Sequence, residues 1–141
     1  METKTSSQFK QSYKADSNAL KLIRENIKTY LESIKVNVND ISVIVIAVNE
    51  ACMNVIQHAN NGKYNGEISI CIKPDLLNLT IDVSDNADFE EYLSTRKKAR
   101  EALKPGGLGL HIISEIMDDV EHFEKKNASG NILTMTKVLS K

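Results

Sequence analysis

Glu50 and Asn54 are the residues of this chain whose types and spacing best suit chemistry. They stand four positions apart within Ile41 to Asn61, which reads ISVIVIAVNEACMNVIQHANN. On a helix, side chains four apart meet. The amide oxygen of Asn54 can take a magnesium ion, which wants oxygen ligands and keeps several waters. The carboxylate of Glu50 can accept a proton from a water or hydroxyl attacking a phosphate. A Glu-x-x-x-Asn pair standing alone reads equally well as a solvated helix face, so the remainder of the chain must decide between the two.

Two further features point to a phosphorylated ligand. Gly106-Gly107-Leu108-Gly109-Leu110 reads as a glycine-rich turn opening a helix. Such a turn presents backbone N–H groups and the positive end of a helix dipole to an anion, and glycine lets the anion approach closely. The spacing fits neither a Walker A loop nor a GxGxxG turn after a strand, and a plain hinge is the simpler alternative. Asp85 follows an alternating apolar run, where a carboxylate can accept the exocyclic amino group of adenine. A turn-initiating Asp85-Asn86 is the plainer reading.

The elements that must position these residues are set by periodicity. Ile41, Val45, Val48, Cys52, Val55, Ile56 and Ala59 fall on one side of a helix over 41–61. Glu50, Asn54, Gln57, His58 and Asn61 fall opposite. Asn39 or Asp40 can cap its start, and Asn61-Gly62 its end. Val43 and Ile46 lie near the azimuth of the polar stripe, so the helix is expected to begin buried all round and to turn polar only in its second half. His58 there suits the helix dipole as well as any catalytic task. An amphipathic helix over 16–34 precedes it, capped by Asp16 or Ser17, with Leu20, Ile23, Ile27, Leu31 and Ile34 inward. Residues 67–73 and 77–84 alternate around Pro74-Asp75 as a hairpin with one buried face. Residues 85–105 show no clean period, and a connection that long is often a lid or binding loop. A helix carrying Leu110, Ile113 and Met117 comes next, then strands over 120–126 and 131–139. Residues 1–15 are expected to form an edge strand or a frayed tail.

Composition narrows the class. The 141 residues make one domain, 1–141. Eighteen basic against nineteen acidic residues give a net charge of -1, which argues against direct nucleic-acid binding. No apolar run is expected to span a membrane and no signal-peptide pattern opens the chain, so a cytoplasmic location is the default. Cys52 and Cys71, with no CxxC spacing, are expected to be reduced core thiols rather than a disulfide or zinc site.

The order of these features resembles the Bergerat-fold ATPase superfamily of gyrase, histidine kinases and mismatch-repair ATPases. The resemblance covers nearly the whole chain from Asp16. The phrases VNEACMNVIQHA and GGLGLHIISEIMDDVE look most like the bacterial anti-sigma-factor serine/threonine kinases. It implies an α+β fold, a two-layer α/β sandwich whose mixed, mostly antiparallel sheet is covered on one face by about three helices. It implies ATP and Mg2+ as cofactors, with Glu50 as general base and Asn54 as the magnesium-binding amide. Asp85 and Ala87 would face adenine. Gly106, Gly107, Leu108, Gly109 and Leu110 would hold the phosphates, and Thr134 would lie near the base. The implied partners are a STAS-domain anti-anti-sigma protein, a sigma factor or similar regulator, and a second copy of the chain in a homodimer. The second motif departs from the family's Asp-x-Gly pattern: it reads Asp85-Asn86-Ala87-Asp88-Phe89-Glu90, so Ala87 puts a methyl group where backbone normally approaches adenine. The closing Gly-Thr of the last motif is Gly130-Asn131 here. The alternative reading is a nucleotide-sensing module that sequesters a regulatory partner without useful catalysis.

Overall fold

The fold is a five-stranded sheet with its helices packed on one face. The computed structural model describes residues 8–62, 66–85, 105–124 and 130–140. In chain order the elements are β1 (Phe9–Lys14), a 3-10 turn (Ser17–Ala19), α1 (Leu20–Ser33), α2 (Val38–Gly62), β2 (Glu67–Pro74), β3 (Asn78–Ser84), α3 (Pro105–Ile116), β4 (Asp119–Glu124) and β5 (Asn131–Val138). The strand order is β1-β2-β3-β5-β4. Every described pairing is antiparallel, in line with the expected mostly antiparallel sheet. β1 is the expected edge strand.

Alternation decides which face is covered. Ile68, Ile70 and Ile72 of β2, Leu79, Ile81 and Val83 of β3, and Leu133 and Met135 of β5 are all buried. Their neighbours in sequence point to the other face, as the period of two requires. α1 lays Ile23, Ile27 and Leu31 into this core, and α2 adds Ile44, Ala47, Val48, Ala51, Cys52 and Val55. At roughly 1.5–3 kcal/mol for each large apolar side chain buried, this layer is what holds the helices to the sheet.

The helix ends differ in detail from the sequence reading. Asp16 does cap the first helical segment, accepting the Asn18 N–H at 2.9 Å. α2, however, starts at Val38: Asn37 is its cap and accepts the Asn39 N–H at 2.8 Å, while Asp40 is spent elsewhere. α2 is not buried all round at its start, since Val38 and Ile46 are exposed. Leu77 lies in the hairpin turn rather than in β3, and it too is exposed. α3 already begins at Pro105, so Gly106, Gly107 and Gly109 lie in its first turns instead of ahead of it. Proline at the first helical position costs no hydrogen bond and presets φ, which draws the start forward.

By length and composition alone Val38–Gln57 of α2 could cross a bilayer, with mean hydropathy 1.4 over 20 residues, against the expectation that no run would. Half of that stretch is buried inside the fold, and its buried apolar residues, from Ile41 to Ile56, belong to the core that covers the sheet. Cys52 is buried within it, but Cys71 points to the open face and is half-buried, so only one of the two thiols belongs to the core.

Candidate functional site

Two contacts at the end of β5 set the direction of both helices that carry site residues. Asp40, near the start of α2, accepts the Ser140 N–H at 2.7 Å. Lys137 Nζ donates to the carbonyl of Ile116, the last residue of α3, at 3.0 Å. α2 begins and α3 ends near the C-terminal end of β5, and the two pack side by side. The second half of α2 and the first turns of α3 therefore lie toward the opposite end of β5. That end is where Asn131 meets Asp85.

Asp85 sits one residue beyond β3 and continues its inward alternation after Leu79, Ile81 and Val83. It is 3% exposed. Its Oδ1 accepts the backbone N–H of Asn131 at 3.1 Å and the Asn131 side-chain amide at 3.4 Å. The Asp85 N–H returns a bond to the Asn131 carbonyl at 2.9 Å. A buried carboxylate needs such donors, because leaving it unpaired costs on the order of several kcal/mol. Gly130 makes the arrangement accessible: its φ of 129° lies where a side chain would clash. Asn131 is a residue the motif reading passed over in favour of Thr134. Its place in the inward register with Leu133 and Met135 was the available signal.

Thr134 lies elsewhere. It belongs to the outward register of β5, and its hydroxyl donates to Asp82 Oδ1 at 2.8 Å on the face opposite the described helices. The structure does not bring it to Asp85. The reason is parity: residues 131 and 134 are an odd number apart, so they point to opposite faces.

On α2, Glu50 and Asn54 are both half-buried, one turn apart as the spacing predicts. The buried Nδ2 of Asn54 has no hydrogen-bond partner among the described residues. An amide's two ends exchange by a half turn, so an oxygen can stand at the same point. A buried polar atom without a partner is costly in an apo protein and is what an oxygen-seeking ion or its water would satisfy. Turned in that way, the Asn54 amide offers one oxygen to such an ion. The backbone of Gly106 to Leu110 lies in the first turns of α3, and the N–H groups of its first turn, which have no intrahelical partner, suit a phosphate. Ala87 and the lid over 86–104 lie outside the described residues. So does the side chain of His58.

A sequence profile described as the histidine kinase-like ATPase domain matches residues 13–137. The chain is 36% identical over 110 residues to a protein of Bacillus subtilis named serine-protein kinase RsbW, covering 72% of this chain and 67% of that one. It is 31% identical over 133 residues to the protein of that name in Halalkalibacterium halodurans, covering 90% and 80%. Among solved structures, one of the RsbU and RsbW domains of Rv1364c from Mycobacterium tuberculosis superposes with a TM-score of 0.67 at 20% identity. It covers 96% of this chain, which spans a third of that longer one, and the likeness speaks to the fold.

Proposed function

The chain belongs to the histidine kinase-like ATPase domain family, and on that premise we propose that it binds ATP with Mg2+ and phosphorylates a serine or threonine of a partner protein. The observation that carries the reading is the buried Asp85 carboxylate, oriented by Asn131 at the end of the sheet toward which the second half of α2 and the first turns of α3 point. Asp85 accepts the adenine amino group. The first turn of α3 receives the phosphates. Asn54 contributes its amide oxygen to the ion, and Glu50 takes the proton of the acceptor hydroxyl. Magnesium, when bound, neutralises phosphate charge, so the protein's share is mostly positioning.

The relatives named serine-protein kinase RsbW support a regulatory kinase. The partner we propose is a STAS-domain anti-anti-sigma protein, with a sigma factor or similar regulator as the second partner, in the cytoplasm. The homodimer we propose would use the sheet face opposite the described helices. The test is transfer of γ-phosphate to a STAS-domain substrate by the wild type and by Glu50→Ala. We expect a fall of about 10²–10⁴-fold in rate, as for loss of a general base, with ATP and partner binding retained. A wild type that binds the partner but transfers nothing would sink the kinase reading and leave the nucleotide-sensing module in its place.

A further inference from the structure

α3 is held from the end far from the site. Its first five residues include Gly106, Gly107 and Gly109. Each glycine weakens a helix relative to alanine, because more backbone freedom is lost on ordering it. The end of α3 that would meet phosphates is thus the end least able to hold itself. Its other end is tied down. Ile113 and Met117 are buried in the core, and the Met117 N–H returns to the Ile113 carbonyl at 2.9 Å. Beyond the last turn, the Asp118 N–H donates to the Thr136 carbonyl at 2.9 Å, and Asp118 Oδ2 accepts the Val138 N–H at 2.7 Å. Lys137 joins these groups. Its ammonium donates to the Ile116 carbonyl at 3.0 Å and stands 3.9 Å from Asp118 Oδ2. Its side chain is only 17% exposed.

We propose that Lys137 is a positioning residue for phosphate binding: it caps the last carbonyl of α3 and fixes that helix to β5, so that the glycine turn at the other end stands in place. A cation at a helix C-terminus satisfies an orphan carbonyl and favours the dipole, with most effect where it is partly buried. Ile116 lies seven to ten residues beyond Gly106 to Gly109, so at about 1.5 Å per residue the cap acts on a turn roughly 10–15 Å away. Lys137 need not touch a ligand. A tilt of α3 about its anchored end would move the glycine backbone most.

The inference rests on the nucleotide reading, and the experiment separates the two. MgATP and adenosine are titrated into the full chain and followed by NMR, which reads weak binding, for the wild type, Lys137→Met and Lys137→Arg. Adenosine lacks phosphates and tests only the Asp85 end. We expect Lys137→Met to weaken MgATP about three- to tenfold, from loss of one charged cap, while adenosine stays within about twofold. Lys137→Arg, which keeps charge and donors, should bind as the wild type does. Equal loss of both ligands, or unchanged MgATP affinity, overturns the proposal. A wild type blind to both ligands sinks the nucleotide reading and this inference with it. If Lys137→Met loses cooperative unfolding, Lys137→Gln carries the same comparison, with the same outcomes deciding.

Discussion

Asp82 and Asp85 lie three residues apart at the end of β3, and each is held by a residue of β5. Asp82 accepts the Thr134 hydroxyl at 2.8 Å on the open face. Asp85 accepts from Asn131 at 3.1 Å on the helix-covered face and is almost wholly buried. Residue type is the same, and the partner is a polar residue of the same strand in both cases. What differs is the face, and with it the solvent. The open-face carboxylate is one polar group among Lys10, Ser12, Ser69, Cys71 and Ser84 around a shallow groove of about 450 Å³. The covered one is a carboxylate at the margin of an apolar core. Burying a carboxyl group there costs stability unless its hydrogen bonds are met, as Asn131 meets them.

The largest effect expected from this contrast is at Asp85. Asp85→Asn keeps the shape but loses a charged acceptor, and ATP affinity should fall about 10- to 100-fold by calorimetry. Asp82→Asn, the matched change on the other face, should leave affinity within about twofold. Equal losses at both positions would erase the distinction between the faces.

The same contrast shows what the sequence discloses. The alternation of β2 and β3 and the inward stripe of α1 make the sheet, its buried face and most of the core readable from residue order alone. The half-buried phase of Glu50 and Asn54 on α2 and the inward phase of Asp85 are legible for the same reason, since each keeps a fixed phase relative to apolar neighbours. The sheet face of Thr134 is not legible from motif spacing, because strand parity rules there. The parity of 131, 133 and 135 puts Asn131 on the covered face beside Asp85 instead. The roles of Asp40 and Lys137 are not legible at all. Their partners, Ser140 and Ile116, are 100 and 21 residues away, and no local period encodes such a contact.

Asn131 sharpens the comparison next. Asn131→Ala removes the side-chain donor but keeps the backbone N–H that also holds Asp85. ATP affinity should therefore fall less than for Asp85→Asn, by about three- to tenfold, the worth of one hydrogen bond to a charged group. A loss as deep as that of Asp85→Asn would mean that the side chain itself meets the ligand.

The two cysteines carry the contrast into protection and pH. Cys52, on α2 inside the core, has its thiol pushed up to about 12 by burial, and Cys71 lies half-buried on the open face. A thiol-specific reagent at about pH 8 should label Cys71 in the folded protein and reach Cys52 only on unfolding, read by mass spectrometry. Because the folded value exceeds the unfolded value of 9.0, the stabilising effect is full below about pH 9 and is lost as pH rises toward 12. Denaturant midpoints for the wild type should drop across that alkaline window, and Cys52→Ala should drop less steeply. Parallel curves would assign the alkaline loss to other groups.

The smallest effect belongs to Thr134. Thr134→Val removes the hydroxyl that donates to Asp82, on a half-exposed face where water can replace it. A neutral-donor hydrogen bond of this kind is worth about 0.5–1.5 kcal/mol, and valine's better fit to a strand offsets part of the loss. Stability should shift by less than about 1 kcal/mol in a denaturant titration, with ATP affinity unchanged within error. Here a near-null result is the informative one. A nucleotide defect from Thr134→Val would require the ligand to reach through the sheet to its open face. The hydroxyl's own partner, Asp82, would then have to share the defect, so the double variant with Asp82→Asn should show no further loss.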